Sequence, residues 1–523
     1  MNRTDMLERA LVRKAPWDFI IVGGGATGVG IAVDAASRGY QVLLLEQSDF
    51  GKGTSSRSTK LVHGGVRYLE QGNIPLVREA LKERGRMRQN APHLVSDLAF
   101  VVPSYAWWEA PFYGLGLKVY QALSGKYGFG PSRRLSKKET LQRLPNIQTE
   151  GLRGGVIYYD GQFDDSRLLI HLAATAAKQG ATLLNYARVA ALARDAGGQV
   201  DGVIAVDLER GKEFHARAKI VINATGAFGD AVRRLAEPKT PAMIAPSQGA
   251  HLVFDHSFLP GDTAIMVPHT RDHRVMFAIP WHGHTLVGTT DTPIPGPVLE
   301  PVPLEQEIEF ILETAGRYLH KAPSRADILS AFAGVRPLVK AGDAGNTAGL
   351  SRDHVVRFEP SGLLTITGGK WTTYRCMAED CVNQAARRAK LPKKPCVTKT
   401  LRLHGYHEQA RKFGRLEVYG ADAAAIQEFI RADTGLGGQL HPALPYCGAE
   451  VVWAVREEMA RTVEDVLARR LRALFLNARA AVEMAPRVAE LMARELKRDA
   501  AWKNSEVETF RALAKNYLPR LTP

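Results

Sequence analysis

The chain has 523 residues, of which 45% are hydrophobic and 24% are charged, and its formal net charge is +15. This length exceeds that of one ordinary hydrophobic core, so we expect a soluble globular protein of two or three domains. No apolar run approaches the ~20 residues that a membrane-spanning helix needs, and the charged first residues are unlike a secretory signal. We therefore expect a cytoplasmic protein.

The positive charge is spread along the chain and no nucleic-acid motif accompanies it, so we expect no nucleic-acid partner. A basic surface instead suits an anionic substrate or weak docking on an anionic membrane. Four cysteines without a C-x-x-C pair favour reduced thiols over a disulfide framework or a zinc site. These are Cys376, Cys381, Cys396 and Cys447.

The N-terminal region carries the pattern of a dinucleotide site. An apolar run at 19–22 precedes a G-x-G-x-x-G turn, a helix is predicted at 27–38, and the next strand ends in Glu46. A pyrophosphate would lie at the helix N-terminus, where unpaired N–H groups and the helix dipole attract anions. Glu46 would bind the adenosine ribose and repel a 2′-phosphate, which disfavours NADP and leaves NAD or FAD open. The residues predicted here are Gly23, Gly24, Gly25, Ala26, Thr27, Gly28, Glu46 and Gln47.

Hydrophobic periodicity predicts the remaining elements. Two helices and three strands are predicted at 74–89, 165–179, 181–184, 203–206 and 218–223. From about 247 to 290, apolar and polar residues alternate, which is typical of antiparallel strands. Beyond a linker at 391–395, residues 405–520 are mostly helical by pattern, and 461–477 are predicted to form an amphipathic helix.

Six segments in a fixed order carry a more specific signal than the glycine turn. They are TSSRSTKLVHGGVRYLE at 54–70, NATG at 223–226, IPW at 279–281, VGTTD at 287–291, AGVRPL at 333–338 and TGGKWTTYR at 367–375. From about residue 17 to 380 the chain resembles the FAD-dependent (aerobic, respiratory) glycerol-3-phosphate dehydrogenases, and 462–470 is similar to the C-terminal cap of that family. The resemblance implies FAD as the cofactor.

The resemblance also implies an α/β fold with three parts. These are a Rossmann-type FAD-binding domain, an interleaved substrate domain built on a mixed β-sheet, and a C-terminal all-α cap domain. The predicted divisions are 1–97, 161–245 and 346–392 for the FAD-binding domain, 98–160 for a substrate or cap insertion, 246–345 for the antiparallel substrate-binding sheet, and 393–523 for the cap.

The reaction implied by the resemblance is oxidation of sn-glycerol 3-phosphate to dihydroxyacetone phosphate. Hydride would pass from C2 to FAD, and electrons would pass on to a membrane quinone. Contact with the inner face of the cytoplasmic membrane would be peripheral, through the aromatic residues Trp107, Trp108, Phe112 and Tyr113. An oxidase that uses oxygen and produces hydrogen peroxide is the nearest alternative, followed by an amino-acid or amine oxidase and by a non-catalytic flavoprotein. The sequence does not reveal the oligomeric state, and a homodimer is one possibility.

The substrate phosphate is a dianion, and guanidinium groups match phosphate oxygens bidentately. A general base must take the C2 hydroxyl proton, for which His63 is the first candidate and His251 the second. Arg336 and Lys370 would stabilise a developing alkoxide. The predicted catalytic residues are therefore His63, Arg67, Arg336 and Lys370. The predicted substrate-binding residues are Arg67, Tyr68, His251, Arg336, Arg352 and Lys370.

Small residues and backbone N–H groups are predicted to line the rest of the cofactor. They are Thr54, Ser55, Lys60, Leu61, His63, Gly64, Gly65, Ala224, Thr225, Gly226, Gly368, Gly369, Lys370 and Thr372. A metal is not expected, because the histidines of the middle region lack the regular spacing of a ligand set and the reaction needs none. Those histidines are His269, His273, His282 and His284.

Overall fold

The structure is a computed structural model that describes residues 1–66, 69, 72–268, 270–271, 274–340 and 354–519. Several predicted site residues lie outside the described residues, and their predictions stay untested. They are Arg67, Tyr68 and Arg352 of the substrate site, and His269 and His273 of the histidine set.

The strands of the described residues are β1 (Trp17–Val22), β2 (Val42–Leu45), β3 (Leu61–Val62), β4 (Val95–Ser104), β5 (Arg133–Ser136), β6 (Gly154–Phe163), β7 (Thr182–Leu184), β8 (Ala187–Arg194), β9 (Val200–Asp207), β10 (Lys212–Asn223), β11 (Ile244–Asp255), β12 (Thr263–Val267), β13 (Met276–Trp281), β14 (His284–Gly288), β15 (Thr292–Pro293), β16 (Ser330–Val339), β17 (His354–Phe358), β18 (Leu364–Gly368), β19 (Gln439–His441) and β20 (Leu444–Cys447).

The α-helices of the same residues are α1 (Arg3–Val12), α2 (Ala26–Ser37), α3 (Ile74–Asn90), α4 (Glu109–Ser124), α5 (Lys137–Arg143), α6 (Asp165–Lys178), α7 (Gly229–Ala236), α8 (Glu305–Tyr318), α9 (Tyr374–Arg388), α10 (Ala423–Ala432), α11 (Gly448–Glu457), α12 (Ala473–Leu476), α13 (Ala478–Leu496) and α14 (Ala500–Ala514). Within the part of the chain that the structure describes, no helix is both long and apolar enough to cross a bilayer.

The first sheet is the nucleotide-binding type that the glycine turn predicts. Its strand order is β17-β18-β10-β1-β2-β7, and β1 runs parallel to both β10 and β2. The strands β1 and β2 are continuous apolar runs, as expected of parallel strands that are covered on both faces. Helix α2 packs beside α6 and α9 on this sheet, and it begins directly after the turn that follows β1.

The second sheet joins two separate parts of the sequence. Its order is β15-β11-β14-β13-β12-β4-β6-β3, with β16 added to β11 and β5 added to β6. Neighbours are mostly antiparallel, as the alternation in 247–290 predicts, but β12 and β4 run parallel, so the sheet is mixed. Strands from the predicted segments 98–160 and 246–345 thus share one sheet, although the exact domain divisions stay predictions.

The C-terminal region is helical except for the short hairpin β19–β20, which the sequence pattern did not reveal. The predicted amphipathic helix at 461–477 is wrong. The structure has a π-helical turn at Asp465–Arg470 and then the short helix α12, and every side chain from 465 to 476 is buried. Charged residues at helical spacing suggested an exposed face, whereas these arginines are buried because acids from the FAD-binding region pair with them.

Asp49, in the loop after β2, is the centre of this pairing. Its carboxylate accepts from Arg469 Nε at 2.5 Å and from Arg470 Nη1 at 2.7 Å, and all three side chains are buried. Burial alone would raise the pKa of Asp49, but Arg470 and Arg469 outweigh it and lower the pKa to about 2. The C-terminal domain is thereby tied by charge to the loop that follows Glu46.

We expect Asp49→Asn to destabilise the protein by ~3–5 kcal/mol, because removing one partner leaves buried charges uncompensated. The midpoint of urea unfolding of the FAD-loaded protein measures the change. Glu490→Gln is the matched control, since it removes only an exposed ion pair with Arg487 and should change stability by less than ~1 kcal/mol. Equal midpoints for the two variants would contradict the structural role of Asp49.

Candidate active site

A cleft of about 560 Å³ lies between the two sheets, within the size range of small-molecule and cofactor sites. The glycine turn after β1, the loop 46–63 and the end of β10 line it from the first sheet. Strands β11 and β16 line it from the second sheet, and the segment 368–372 closes it.

The glycine turn is shaped for close approach of a phosphate group. Gly23 has a φ of +110°, and a Cβ on Gly28 would lie 1.9 Å from the Gly23 carbonyl oxygen, so α2 packs against the turn only with glycine there. Gly25 is the N-cap of α2 and lines the cleft with Ala26. The N-terminus of a twelve-residue helix therefore faces the cleft, where it favours an anion.

Glu46 lies in the cleft with both carboxylate oxygens held by backbone N–H groups. Gly24 donates to Oε2 at 2.6 Å and Ser48 donates to Oε1 at 2.9 Å. Burial raises the pKa of this carboxyl, and the two N–H groups oppose the rise. Each oxygen retains a second lone pair, so the carboxylate can also accept from the hydroxyls of a ribose. The turn, the helix terminus and this acid fit the ADP part of FAD.

Arg336 of β16 is held at the opposite part of the cleft by acceptors from the second sheet. Nη1 donates to the Gln248 carbonyl oxygen at 3.3 Å and to Asp291 Oδ1 at 3.2 Å. Nη2 donates to Thr289 Oγ1 at 3.1 Å and to the Thr290 carbonyl oxygen at 2.9 Å. The guanidinium is thus a positive charge whose orientation is set by protein acceptors.

His251 of β11 is buried beside this charge. Its Nε2 lies 2.9 Å from Thr59 Oγ1, and its ring stacks on Phe332 with centroids 5.0 Å apart. Burial, and then the charges of Lys60 and Arg336, hold the pKa of His251 well below its usual value, so the imidazole is neutral at pH 7. Its Nδ1 has no hydrogen-bond partner within the described residues.

His63 lies in the loop after β3, and Lys370 lies in the segment after β18 that this loop contacts. Both side chains line the cleft. The backbone N–H of His63 donates to Thr372 Oγ1 at 3.3 Å, and this bond joins the two segments. The structure therefore brings the two predicted base candidates, Arg336 and Lys370 into one cleft.

Most of the other described residues predicted for the site also line the cleft. They are Gly23, Gly25, Ala26, Thr27, Glu46, Gln47, Thr54, Ser55, Leu61, Ala224, Thr225, Gly226, Gly368, Gly369 and Thr372. Five predicted cofactor residues are not among the lining residues, namely Gly24, Gly28, Lys60, Gly64 and Gly65. Gly24 and Gly28 shape the turn and its bond to Glu46, and the Gly64 N–H donates to Tyr120 Oη at 2.7 Å.

Lys60, one of the residues predicted to line the cofactor, is not among the residues that line the cleft. Lys60 has a φ of +63°, which turns its side chain into the interior, and it is fully buried. Its Nζ donates to Asp165 Oδ2 at 2.7 Å and to the Ser56 carbonyl oxygen at 2.8 Å. Burial lowers the pKa of Lys60 to about 7, although Asp165 opposes this shift.

Sequence reasoning missed a second cationic part of the cleft, formed by Lys52 and Arg57. Arg57 donates to Glu300 Oε2 at 2.7 Å, and Lys52 pairs with both Glu300 and Glu464. Arg57 lies within a segment that the family resemblance had marked. Glu300 lies in a proline-rich loop that carried no signal, because its partners are more than 240 residues away.

Within the described residues, no group of three or more His, Cys, Asp or Glu side chains is placed to hold a metal ion. His282 instead lies 2.9 Å from Asp164, and His284 lies 2.9 Å from a backbone oxygen. The four cysteines are free thiols.

Comparison with known proteins agrees with this geometry. Residues 18–375 match the family model described as FAD dependent oxidoreductase, and residues 396–503 match that for the C-terminal domain of alpha-glycerophosphate oxidase. The mitochondrial glycerol-3-phosphate dehydrogenase SDP6 of Arabidopsis thaliana is 41% identical, over 94% of this chain and 85% of the relative. The chain belongs to the FAD-dependent glycerol-3-phosphate dehydrogenase family. The mitochondrial glycerol-3-phosphate dehydrogenase of Homo sapiens is 40% identical, over 96% of this chain and 73% of the relative.

A solved structure of this family has the same architecture. The glycerol-3-phosphate dehydrogenase of Bacillus halodurans complexed with FAD is 29% identical, with a TM-score of 0.81 over 100% of this chain and 98% of that one. The predicted α/β fold with mixed sheets and a C-terminal helical domain is thus confirmed. FAD is confirmed as the cofactor.

Gly249 tests the placement of Arg336, because a Cβ there would lie 2.3 Å from Arg336 Nη2. We expect Gly249→Ala to displace the guanidinium and to lower kcat/KM for glycerol 3-phosphate by on the order of 10- to 100-fold, with normal FAD content. Gly116→Ala on α4 is the control, since its Cβ meets nothing within 4 Å. Unchanged kinetics of Gly249→Ala would argue against a role for Arg336 in the reaction.

Proposed function

We propose that this protein oxidises sn-glycerol 3-phosphate to dihydroxyacetone phosphate at C2, and that a membrane quinone is the final electron acceptor. The observation that carries the proposal is a cofactor cleft whose lining includes the cations Arg336 and Lys370. An anionic alcohol suits such a site because the cations attract its phosphate and stabilise negative charge on its C2 oxygen. Membership of the family supports the same substrate.

When bound, FAD supplies the hydride acceptor, and the protein handles the proton and positions the substrate. Arg336 is already oriented by four protein acceptors, so it costs little reorganisation when charge develops on the C2 oxygen. Lys370 adds a second positive charge from the segment after β18.

Two histidines are candidates for the group that takes the C2 proton. His63 is the first candidate. His251 is neutral, but its lowered pKa makes it a weak proton acceptor in the free enzyme. Two of the three causes of that lowering are the charges of Lys60 and Arg336. A bound phosphate dianion would offset these charges and raise the pKa of His251 toward the range of a useful base.

Reduction of the bound flavin under anaerobic conditions tests the substrate directly. We expect glycerol 3-phosphate to bleach the visible flavin absorbance and free glycerol to leave it unchanged, because only the former carries the dianion. Failure of excess glycerol 3-phosphate to bleach the flavin would refute the proposed reaction and favour a non-catalytic flavoprotein. Bleaching by amino acids would favour the amino-acid oxidase alternative.

In the same experiment, Lys370→Met should slow flavin reduction by on the order of 100-fold, since it removes a charge that stabilises the alkoxide. Substrate affinity should fall by a smaller factor. Lys138→Met is the control, because Lys138 is exposed on α5 and outside the cleft. Equal reduction rates for the two variants would remove Lys370 from the chemical step.

Oxygen is the second candidate acceptor. The match of residues 396–503 to the C-terminal domain of alpha-glycerophosphate oxidase is the observation that favours it. Turnover in air with and without a soluble quinone separates the two. Quinone reduction with little hydrogen peroxide supports the dehydrogenase, whereas peroxide equal to substrate consumed supports the oxidase.

Helix α4 and the residues before it form the surface that we propose for peripheral contact with the inner face of the cytoplasmic membrane. Trp107, Phe112 and Leu115 are 77%, 55% and 69% exposed, and Trp108 and Val119 are exposed beside them. Of the four aromatic residues predicted for docking, Tyr113 is buried and belongs to the interior. An apolar helix face is typical of proteins that lie in the headgroup region.

Introducing negative charge on the apolar face tests this membrane contact. The double variant Phe112→Asp and Leu115→Asp should lose most binding to anionic phospholipid vesicles, because the apolar area that would enter the bilayer becomes charged. Leu208→Asp is the control, since Leu208 is exposed at 42% on the turn after β9. Full vesicle binding by the double variant would exclude this surface.

A further inference from the structure

We propose that Asp291 is a positioning residue that holds Arg336 in its working orientation. This inference rests on the proposed function, since it concerns how that arginine serves the reaction. Asp291 does not itself line the cleft. Any effect of Asp291 on the reaction would therefore pass through the guanidinium of Arg336, which does line the cleft.

The carboxylate of Asp291 lies between two arginines. Oδ1 accepts from Arg336 Nη1 at 3.2 Å, and Oδ2 forms an ion pair with Arg274 Nη1 at 2.9 Å. The Ser247 hydroxyl also donates to Oδ1. The Asp291 side chain is only 7% exposed, whereas that of Arg336 is 24% exposed, so the acid lies behind the cation as seen from the cleft.

Among the described residues, 289–291 supply acceptors for both terminal nitrogens of Arg336, namely Thr289 Oγ1, the Thr290 carbonyl oxygen and Asp291 Oδ1. Asp291 is the acceptor among them that carries a negative charge, so it adds the attraction of an ion pair to its hydrogen bond with Arg336. Without Asp291, Nη1 would keep its bond to the Gln248 carbonyl oxygen and Nη2 would keep its two bonds. Loss of the ion pair would therefore let the Nη1 end of the guanidinium shift, because that end would be held less firmly.

Asp291 is itself fixed from both sides. Glu307 of α8 is buried and accepts from the hydroxyls of Thr290 and Thr292, each at 2.7 Å. Arg274 also donates to the Asp291 carbonyl oxygen at 2.6 Å. The carboxylate therefore has a fixed position from which it can orient its neighbour.

A double-mutant cycle separates this role from a general contribution to folding. Asp291→Asn should lower kcat/KM for glycerol 3-phosphate about tenfold in the wild-type background. In an Arg336→Leu background it should cause no further loss beyond about twofold, because the group through which it acts is gone. The limiting rate of FAD reduction and the dissociation constant of glycerol 3-phosphate are measured anaerobically by stopped flow, and their ratio corresponds to kcat/KM. FAD content is checked in each variant.

Two further variants keep the test decisive. Ser247→Ala removes only the hydroxyl that donates to Asp291, so it should show the same dependence on Arg336 with a smaller loss, even if Asp291→Asn does not fold. Asp201→Asn is the matched control, because it removes a carboxylate paired with Arg217 on the β9–β10 hairpin, and it should leave kinetics unchanged.

Equal losses from Asp291→Asn in both backgrounds, or wild-type kinetics for it, would overturn the positioning role. Lower KM for Asp291→Asn would also overturn it, since that result would mean that Asp291 only neutralises positive charge. A wild-type protein that glycerol 3-phosphate does not reduce would instead overturn the proposed function. The two failures are therefore distinguishable.

Discussion

The architecture depends on a set of buried ion pairs between the FAD-binding region and the C-terminal domain. Asp49 pairs with Arg469 and Arg470, and Asp165 pairs with Lys60 and Arg472. Isolated charges in such surroundings would be prohibitively costly, so each group requires its partner to be in place. These pairs to the C-terminal domain therefore stabilise the position of the loop 46–63, which carries much of the cleft lining.

This constraint links the helical domain to the chemistry without placing it in the cleft. Arg472 Nη2 donates to the Ser56 carbonyl oxygen at 2.9 Å and to Asp165 Oδ1 at 3.1 Å. Ser58 donates to the other oxygen of Asp165 through both its hydroxyl and its backbone N–H. One buried carboxylate thus sets the backbone on either side of Arg57. A domain that sequence patterns mark only as helical becomes part of the site's support.

The parts that sequence could predict are those governed by local patterns. The turn at Gly23 and Gly28 is local, because Gly23 has a φ of +110° and a Cβ on Gly28 would meet the Gly23 carbonyl oxygen. The parallel strand β1 and the alternation in β11 are visible as hydrophobic periodicity. The family segments contain His63, Arg336 and Lys370, and the structure places these three residues and His251 in one cleft.

The parts that sequence could not predict depend on partners far along the chain. From the sequence alone, Arg470 is expected at the surface. Its buried position depends on Asp49, which is 421 positions away. Lys60 lies in a predicted cofactor segment, but only its φ of +63° reveals that its side chain leaves the cleft for Asp165. Membership of a sequence motif predicted which residues lie near the site. The backbone geometry determines which of their atoms face it.

Three cations that line the cleft pair with acids that do not line it. Arg336 has Asp291, while Arg57 and Lys52 share Glu300. A paired cation is held in place, and its attraction for a distant anion is reduced because the pair is closer to neutral. The remaining attraction acts over short range, where the geometry of the ligand matters. A dianionic substrate whose oxygens reach the cations would therefore be held, whereas a larger or misplaced anion would gain little, so these acids contribute to specificity as much as to order.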